Sequence, residues 1–140
     1  MDLRGQLPVV GVVAAGGSLG AVARYAASLA WPTATDSFPW TTFAVNVSGS
    51  ALLGVLTVLL TETMTAPHPL LRPFLGTGFC GGYTTFSTYG LDTQRLLAAG
   101  DTARALLYPC GTAVTALAAV WAGVTATRTL TARVRERGQG

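Results

Sequence analysis

Residues whose chemistry suits a small ion interrupt an otherwise apolar chain at positions 78–90, in the stretch GFCGGYTTFSTYG. Gly81 and Gly82 are followed by Thr84 and Thr85, and both glycine and β-branched threonine weaken a helix. A helix broken inside a membrane frees peptide groups, which are tolerated only where protein or an ion satisfies them. The stretch therefore predicts a broken helix whose free carbonyls bind a cation. A continuous but flexible glycine-rich helix is the alternative.

Two aromatic residues follow the predicted break. Phe86 and Tyr89 are three residues apart, and this spacing places them on one side of a helix. The edge of an aromatic ring is electropositive, so rings directed edge-on into a narrow pore would attract an anion. They would also release it, whereas a fixed cation would hold it too tightly. Ordinary packing of both rings is the alternative.

Polar side chains also lie in two other apolar segments. Asn46 stands inside TTFAVNVSGSALLGVL, and a buried amide must find hydrogen-bond partners. It either joins two helices or donates to an anion in a pore. Tyr108, Thr112 and Thr115 are spaced to form one polar face on the last segment. Their hydroxyls either line a pore or bond back to their own helix.

The first apolar segment contains GVVAAGGSLGAVARY, in which small residues precede an arginine. We expect Gly16, Gly17 and Gly20 to form a face for close helix packing, because small residues let membrane helices approach one another. Arg24 lies near the end of this segment. A charge at membrane depth is unfavourable and usually functional, so Arg24 either pairs inside the protein or extends to the interface.

Four apolar segments must position these residues: 7–30, 40–64, 70–98 and 103–127. Each exceeds the roughly 20 helical residues that cross a hydrocarbon core about 30 Å thick. Half of the 140 residues are hydrophobic and 11% are charged, well below the roughly 25% charged residues of soluble domains. We therefore predict a single all-α membrane protein domain with four transmembrane helices. It is expected to be a multi-pass protein of the cell (plasma) membrane, surrounded by the lipid bilayer.

The charge pattern bears on orientation and partners. The net charge is +3, and all nine basic residues are arginines, four of them within residues 128–137. We expect this end to be a solvated tail near anionic lipid, with both termini in the cytoplasm. Without the tail the charges are nearly balanced, so insertion in both orientations stays open. No basic patch with interleaved aromatic residues is present, which argues against nucleic acid as a partner.

Several other classes of protein are disfavoured. A phosphate-binding Gly-Lys motif is missing and His68 stands alone in a loop, so the chain is not predicted to be an enzyme. Cys80 and Cys110 fall inside apolar segments, where small buried thiols are expected. A proton-driven exporter would need a carboxylate deep in an early segment, and Glu62 lies at a segment end. A non-conducting assembly subunit stays open.

The motifs GFCGGYTTFSTYG, GAVARY and NVSGSALLG together resemble the Fluc (CrcB) family of fluoride channels over nearly the whole chain. The resemblance implies four membrane helices per subunit, with the third broken at mid-membrane. It also implies that two subunits form an antiparallel, dual-topology dimer with two pores. Fluoride would leave the cytoplasm through these pores passively, and one structural Na⁺ would lie at the dimer centre.

The resemblance also implies roles for individual residues. The backbone carbonyls of Gly81 and Thr84 would hold the structural Na⁺. The aqueous mouth of the pore would lie near Arg24. The full set of implied fluoride-pore residues is Asn46, Phe86, Tyr89, Ser87, Thr88, Tyr108, Thr112 and Arg24.

Two departures from the family pattern leave the assembly open. The family has phenylalanine where this chain has Tyr89, which adds a hydroxyl to the ring. The polar face of the last segment also ends early, because the positions that follow Thr112 at four-residue spacing are Ala116 and Val120. The chain therefore forms either a functional homodimer or one subunit of an unlike-subunit pair, inactive alone.

Overall fold

The fold is known from a computed structural model, which describes residues 3–34 and 37–137. Within these ranges the chain forms helices joined by short connections, and no strand occurs among them. The prediction of an all-α protein is therefore confirmed. Helix α1 spans Leu3–Ala30 and helix α2 spans Trp40–Val58, followed by a π-helical turn, Leu59–Thr63.

The third apolar segment is not one helix. A π-helix, Pro73–Cys80, leads into a single α-helical turn, α3, at Gly81–Tyr83, and helix α4 begins only at Ser87 and ends at Ala98. At Thr84 the backbone becomes extended, with φ −74° and ψ 159°. The interruption therefore occupies residues 84–86, one residue after the glycine pair, which itself lies in α3.

Helix α5 spans Thr102–Arg137, which at 1.5 Å per residue makes it about 54 Å long. It extends ten residues beyond the predicted end at residue 127, so the arginine-rich tail is helical as far as Arg137. Pro109 lies inside this helix. The turn between α4 and α5 places Gly100 at φ 80°, a conformation that glycine adopts without strain.

Close backbone contacts hold the helices together. A Cβ atom on Gly16 would collide with the carbonyl oxygen of Phe74, and one on Gly20 would collide with that of Phe79. Gly16 and Gly20 therefore form the predicted close-packing face of α1, and the segment that lies against this face is the third one. Gly17 also lies against the third segment, because a Cβ atom on Gly82 would collide with the carbonyl oxygen of Gly17, although a Cβ on Gly17 itself would have 3.8 Å to the nearest carbonyl oxygen.

Three helices are long and apolar enough to cross a membrane, judged by length and composition: Gln6–Ala30, Trp40–Thr63 and Thr102–Arg137. The third predicted segment supplies no such helix within the described ranges, because the break divides it into two shorter pieces.

The π turn at the end of α2 is joined to α5 by Glu62, which makes a two-pronged ion pair with Arg128, with a shortest N···O distance of 2.6 Å.

Candidate functional site: a groove at the helix break

The break in the third segment is stabilised by Asn46 of α2. The Asn46 side-chain amide donates to the carbonyl oxygen of Thr85 at 3.0 Å. The backbone N–H of Thr85 in turn donates to the Asn46 side-chain oxygen at 2.8 Å. One buried side chain thus satisfies both peptide groups of the central residue of the break. Of the two roles considered for Asn46, this contact corresponds to joining two segments of the protein.

Arg24 binds the other side of the break. Its Nε–H donates to the carbonyl oxygen of Gly82 at 3.2 Å, across 58 residues of sequence. In an uninterrupted helix this carbonyl would accept from the N–H of residue 86, and the break removes that partner. A cation at the carboxyl end of a helix is also favoured by the helix dipole. Arg24 therefore pairs inside the protein, which is one of the two roles considered for it.

A groove of about 430 Å³ lies beside the break, where α2, the third segment and α5 meet. Its walls combine two glycines, side-chain hydroxyls, one side-chain amide and two aromatic rings. The lining residues are Asn46, Gly49, Ser50, Leu53, Cys80, Gly81, Thr84, Thr85, Phe86, Tyr89, Thr112, Ala113 and Ala116. The structure thus brings together six residues predicted for the pore or the cation site: Asn46, Gly81, Thr84, Phe86, Tyr89 and Thr112.

The two predicted pore aromatics differ in their surroundings. Phe86 is 83% exposed, and its ring contacts the ring of Tyr89 at a centroid distance of 5.6 Å. Tyr89 is half-buried, and its hydroxyl donates to the carbonyl oxygen of Pro109 at 3.0 Å. The additional hydroxyl, in which this chain departs from the family pattern, therefore attaches the Tyr89 ring to α5.

The predicted polar face on α5 does not point as one stripe into the groove. Tyr108 is fully buried, and its ring packs against Tyr89 and Phe38. Thr112 donates its hydroxyl hydrogen to the carbonyl oxygen of Tyr108 at 2.7 Å, and Thr115 donates to that of Gly111 at 2.6 Å. Of the two roles considered for these threonines, bonding back to their own helix is the one observed.

Three further residues predicted for the pore lie outside the groove. Arg24 and Thr88 line a separate cavity of about 130 Å³, together with residues at the start of α2. Ser87 is exposed at the start of α4 and its hydroxyl contacts that of Thr85 at 3.3 Å. The groove and this smaller cavity share Thr85, so the break stands between them.

One buried carboxylate was not anticipated from the sequence. Asp92 on α4 is 8% exposed and accepts a hydrogen bond of 2.7 Å from the Thr42 hydroxyl. It also pairs with Arg95 at 3.5 Å. An acidic residue inside an apolar segment, three positions before an arginine, was the available signal. This contact joins α4 to the start of α2 beyond the groove.

The cysteines differ from each other. Cys80 is buried and lines the groove, whereas Cys110 is exposed, so the expectation of a buried thiol is wrong for Cys110. Cys110 lies on an outward-facing part of α5. Within residues 3–34 and 37–137, no three residues of the types His, Cys, Asp and Glu come together as a metal site. Any cation at the break would therefore depend on backbone carbonyls.

Comparison of sequences finds known proteins that are similar to this chain. A profile of the family described as CrcB-like protein, Camphor Resistance (CrcB), matches residues 11–124 of the chain. The chain belongs to the CrcB family. The match to this CrcB profile includes α2, the broken segment and the greater part of α1 and of α5.

Individual members of the CrcB family are similar over most of the chain. "Fluoride-specific ion channel FluC 1" of Streptomyces coelicolor is 54% identical over 125 residues, which are 89% of this chain and 80% of that protein. "Fluoride-specific ion channel FluC 2" of Streptomyces avermitilis is 56% identical over 108 residues, 77% of this chain and 68% of that protein. The corresponding FluC 2 of Nocardia farcinica is 50% identical over 88% of this chain and 87% of its own length.

Proposed function

We propose that the chain is a fluoride-selective ion channel through which fluoride leaves the cytoplasm passively. The groove at the break is the observation on which this proposal depends. It combines a side-chain amide, hydroxyls and two aromatic rings, and none of the described residues that line it is charged. Neutral donors attract a small anion and still release it, which a conducting site requires.

The names of the relatives support the same ion. Those named above are fluoride-specific ion channels, similar to this chain over 77–89% of its length. The CrcB family is one of channels, so the prediction that the chain is not an enzyme is confirmed. A membrane potential that is negative inside favours anion exit by about 2.3 kcal/mol per charge per 100 mV. No coupled energy source is therefore needed for export.

A second, inverted copy would complete the site. Phe86 is a large ring left 83% exposed at the open side of the groove, and a partner subunit would cover it. The resulting antiparallel dimer would place two breaks close together. In this arrangement the partner subunit and the lipid bilayer of the plasma membrane would cover the exposed apolar faces of the chain.

A structural Na⁺ fits the carbonyls at the break. The helical partner of the Gly81 carbonyl would be the N–H of Thr85, which donates to Asn46 instead. Thr84 follows in an extended conformation, and both Gly81 and Thr84 line the groove. Their carbonyl oxygens are hard, neutral ligands at the negative end of a helix dipole, as cation sites in broken membrane helices require. In the dimer, a bound Na⁺ would supply positive charge between the negative helix ends of the two subunits and so hold them together.

The second candidate is one subunit of an unlike-subunit fluoride channel, inactive alone. The α5 wall of the groove supports it, because Ala116, one of the two positions where the family resemblance leads us to expect a hydroxyl, lines the groove without one. Two relatives, FluC 2 and FluC 3, occur together in S. avermitilis, so one organism can possess several such chains.

Fluoride efflux from liposomes that contain only this purified chain tests the proposal. A homodimeric channel releases fluoride, and an unlike-subunit channel does so only after a second CrcB chain is added. Phe86→Ile removes the ring edge and should abolish efflux while the dimer persists in detergent. Exposed Leu117→Ile on α5 is the matched control and should leave efflux unchanged. Full efflux by Phe86→Ile would contradict the role of the ring.

A proton-driven exporter is distinguished by the same vesicles. Asp92 is the buried carboxylate that such a mechanism could use, and it also lines a cavity of about 200 Å³ near the α1–α2 connection. An exporter would show substrate-driven proton flux that Asp92→Asn abolishes. A passive channel shows fluoride flux set by the membrane potential alone.

A further inference from the structure

An anion in the groove needs hydrogen-bond donors, so the donors that remain available there decide where it binds. A hydroxyl has a single hydrogen, and once donated within the protein it is not available to an ion. Five side-chain hydroxyls belong to residues lining the groove: Ser50, Thr84, Thr85, Tyr89 and Thr112.

Four of these hydroxyls donate to other parts of the chain. Thr84 donates to the Cys80 carbonyl at 2.9 Å and Thr85 to the Thr88 hydroxyl at 3.1 Å. Tyr89 and Thr112 donate to backbone carbonyls of α5, as described above. Among the residues that the structure describes, Ser50 has no hydrogen-bond partner for its hydroxyl.

The position of Ser50 supports the same conclusion. Ser50 is one helical turn after Asn46 on α2, so the two side chains lie on one face and both line the groove. The Asn46 amide group has two hydrogens and donates one of them to Thr85. Asn46 and Ser50 therefore form a short row of donors along α2.

Other hydroxyls of α2 are engaged elsewhere. Thr41 donates to the Trp31 carbonyl, Thr42 to Asp92 and Thr57 to the Leu53 carbonyl. Ser48 is two residues from Ser50 and contacts the Val45 carbonyl and the Tyr83 hydroxyl at 3.3 Å and 3.2 Å. Ser48 does not line the groove, so it is a matched control of the same residue type.

We propose that Ser50 binds fluoride in the groove, and this inference rests on the proposed function. Its hydroxyl supplies on α2 the donor that α5 lacks at Ala113 and Ala116, which line the same groove. The ion passes from the second hydrogen of the Asn46 amide to the Ser50 hydroxyl, one helical turn along α2. The polar pathway of this chain thus changes helix where the hydroxyls of α5 end.

The test is fluoride efflux from liposomes containing the full-length chain, alone or with the CrcB partner that makes it active. Ser50→Ala should lower the efflux rate about tenfold, equivalent to about 1.4 kcal/mol, the loss of one donor to the ion. Ser50→Cys should give an intermediate rate because a thiol is a weak donor. Ser48→Ala should conduct like the unmodified chain.

Size-exclusion chromatography in detergent checks that each variant assembles. Efflux by Ser50→Ala within twofold of the unmodified chain would overturn the role of Ser50 and leave the channel proposal intact. Equal losses in Ser50→Ala and Ser48→Ala would also overturn it, because the effect would then be one of helix packing. If the unmodified chain conducts no fluoride either alone or with a partner, the proposed function fails instead.

Discussion

Replacing Asn46 with alanine should destabilise the break itself, and the structure allows the effect to be estimated. Asn46 supplies both the donor and the acceptor for the peptide groups of Thr85, at 3.0 Å and 2.8 Å. A buried polar group that loses its partner costs about 1–3 kcal/mol, so two such groups cost about 2–6 kcal/mol. Thr85 lines the open groove, so water can replace part of the lost hydrogen bonding. The expected loss of stability is therefore near the lower end of this range, about 2 kcal/mol.

Amide hydrogen exchange at Thr85 measures this effect locally. A loss of about 2 kcal/mol corresponds to exchange roughly 30-fold faster, since about 1.4 kcal/mol is a factor of ten. Asn46→Asp should have an intermediate effect, because the carboxylate still accepts from the Thr85 N–H but no longer donates to its carbonyl. Asn46→Asp should also block fluoride efflux, because it places a negative charge in the groove.

Ser48→Ala is again the control, since Ser48 has no contact with Thr85. The reasoning is refuted if Thr85 exchanges at the same rate in Asn46→Ala and in the unmodified chain. Faster exchange spread evenly over α2 and α5 would also refute it, because the loss would then be one of general stability and not of the break.

Two further predictions concern contacts around the groove. Tyr89→Phe removes the hydrogen bond to Pro109 and should lower stability by about 0.5–1.5 kcal/mol, while fluoride efflux persists because the ring edge remains; complete loss of efflux would show that the hydroxyl itself is needed. Gly20→Ala places a methyl group against the Phe79 carbonyl and should destabilise the fold by about 1–3 kcal/mol in thermal unfolding, whereas Gly11→Ala meets no atom within 4 Å and should not.

Much of the fold follows from the sequence because it depends on local composition. Long apolar runs predict the helices, and Gly16, Gly17 and Gly20 predict that α1 packs closely against another helix. Only the structure shows that this partner is the third segment. The sequence also predicts the interruption near Gly81-Gly82, because weak helix formers cluster there. The predicted break already included Thr84 and Thr85, but its extent over residues 84–86 depends on the tertiary structure, because Asn46 and Arg24 stabilise the break from other helices.

The sequence by itself determined that the chain is an apolar helical protein of the CrcB pattern, with a weak point in its third segment. Only the tertiary structure decided which polar groups remain available to an ion. Thr112 and Tyr89 look like donors in the sequence, but their hydrogens go to carbonyls of α5. Ser50 attracts no attention in the sequence, yet its hydroxyl keeps its hydrogen. The reason is that each hydroxyl donates only once, and neighbours in space determine which acceptor receives that hydrogen.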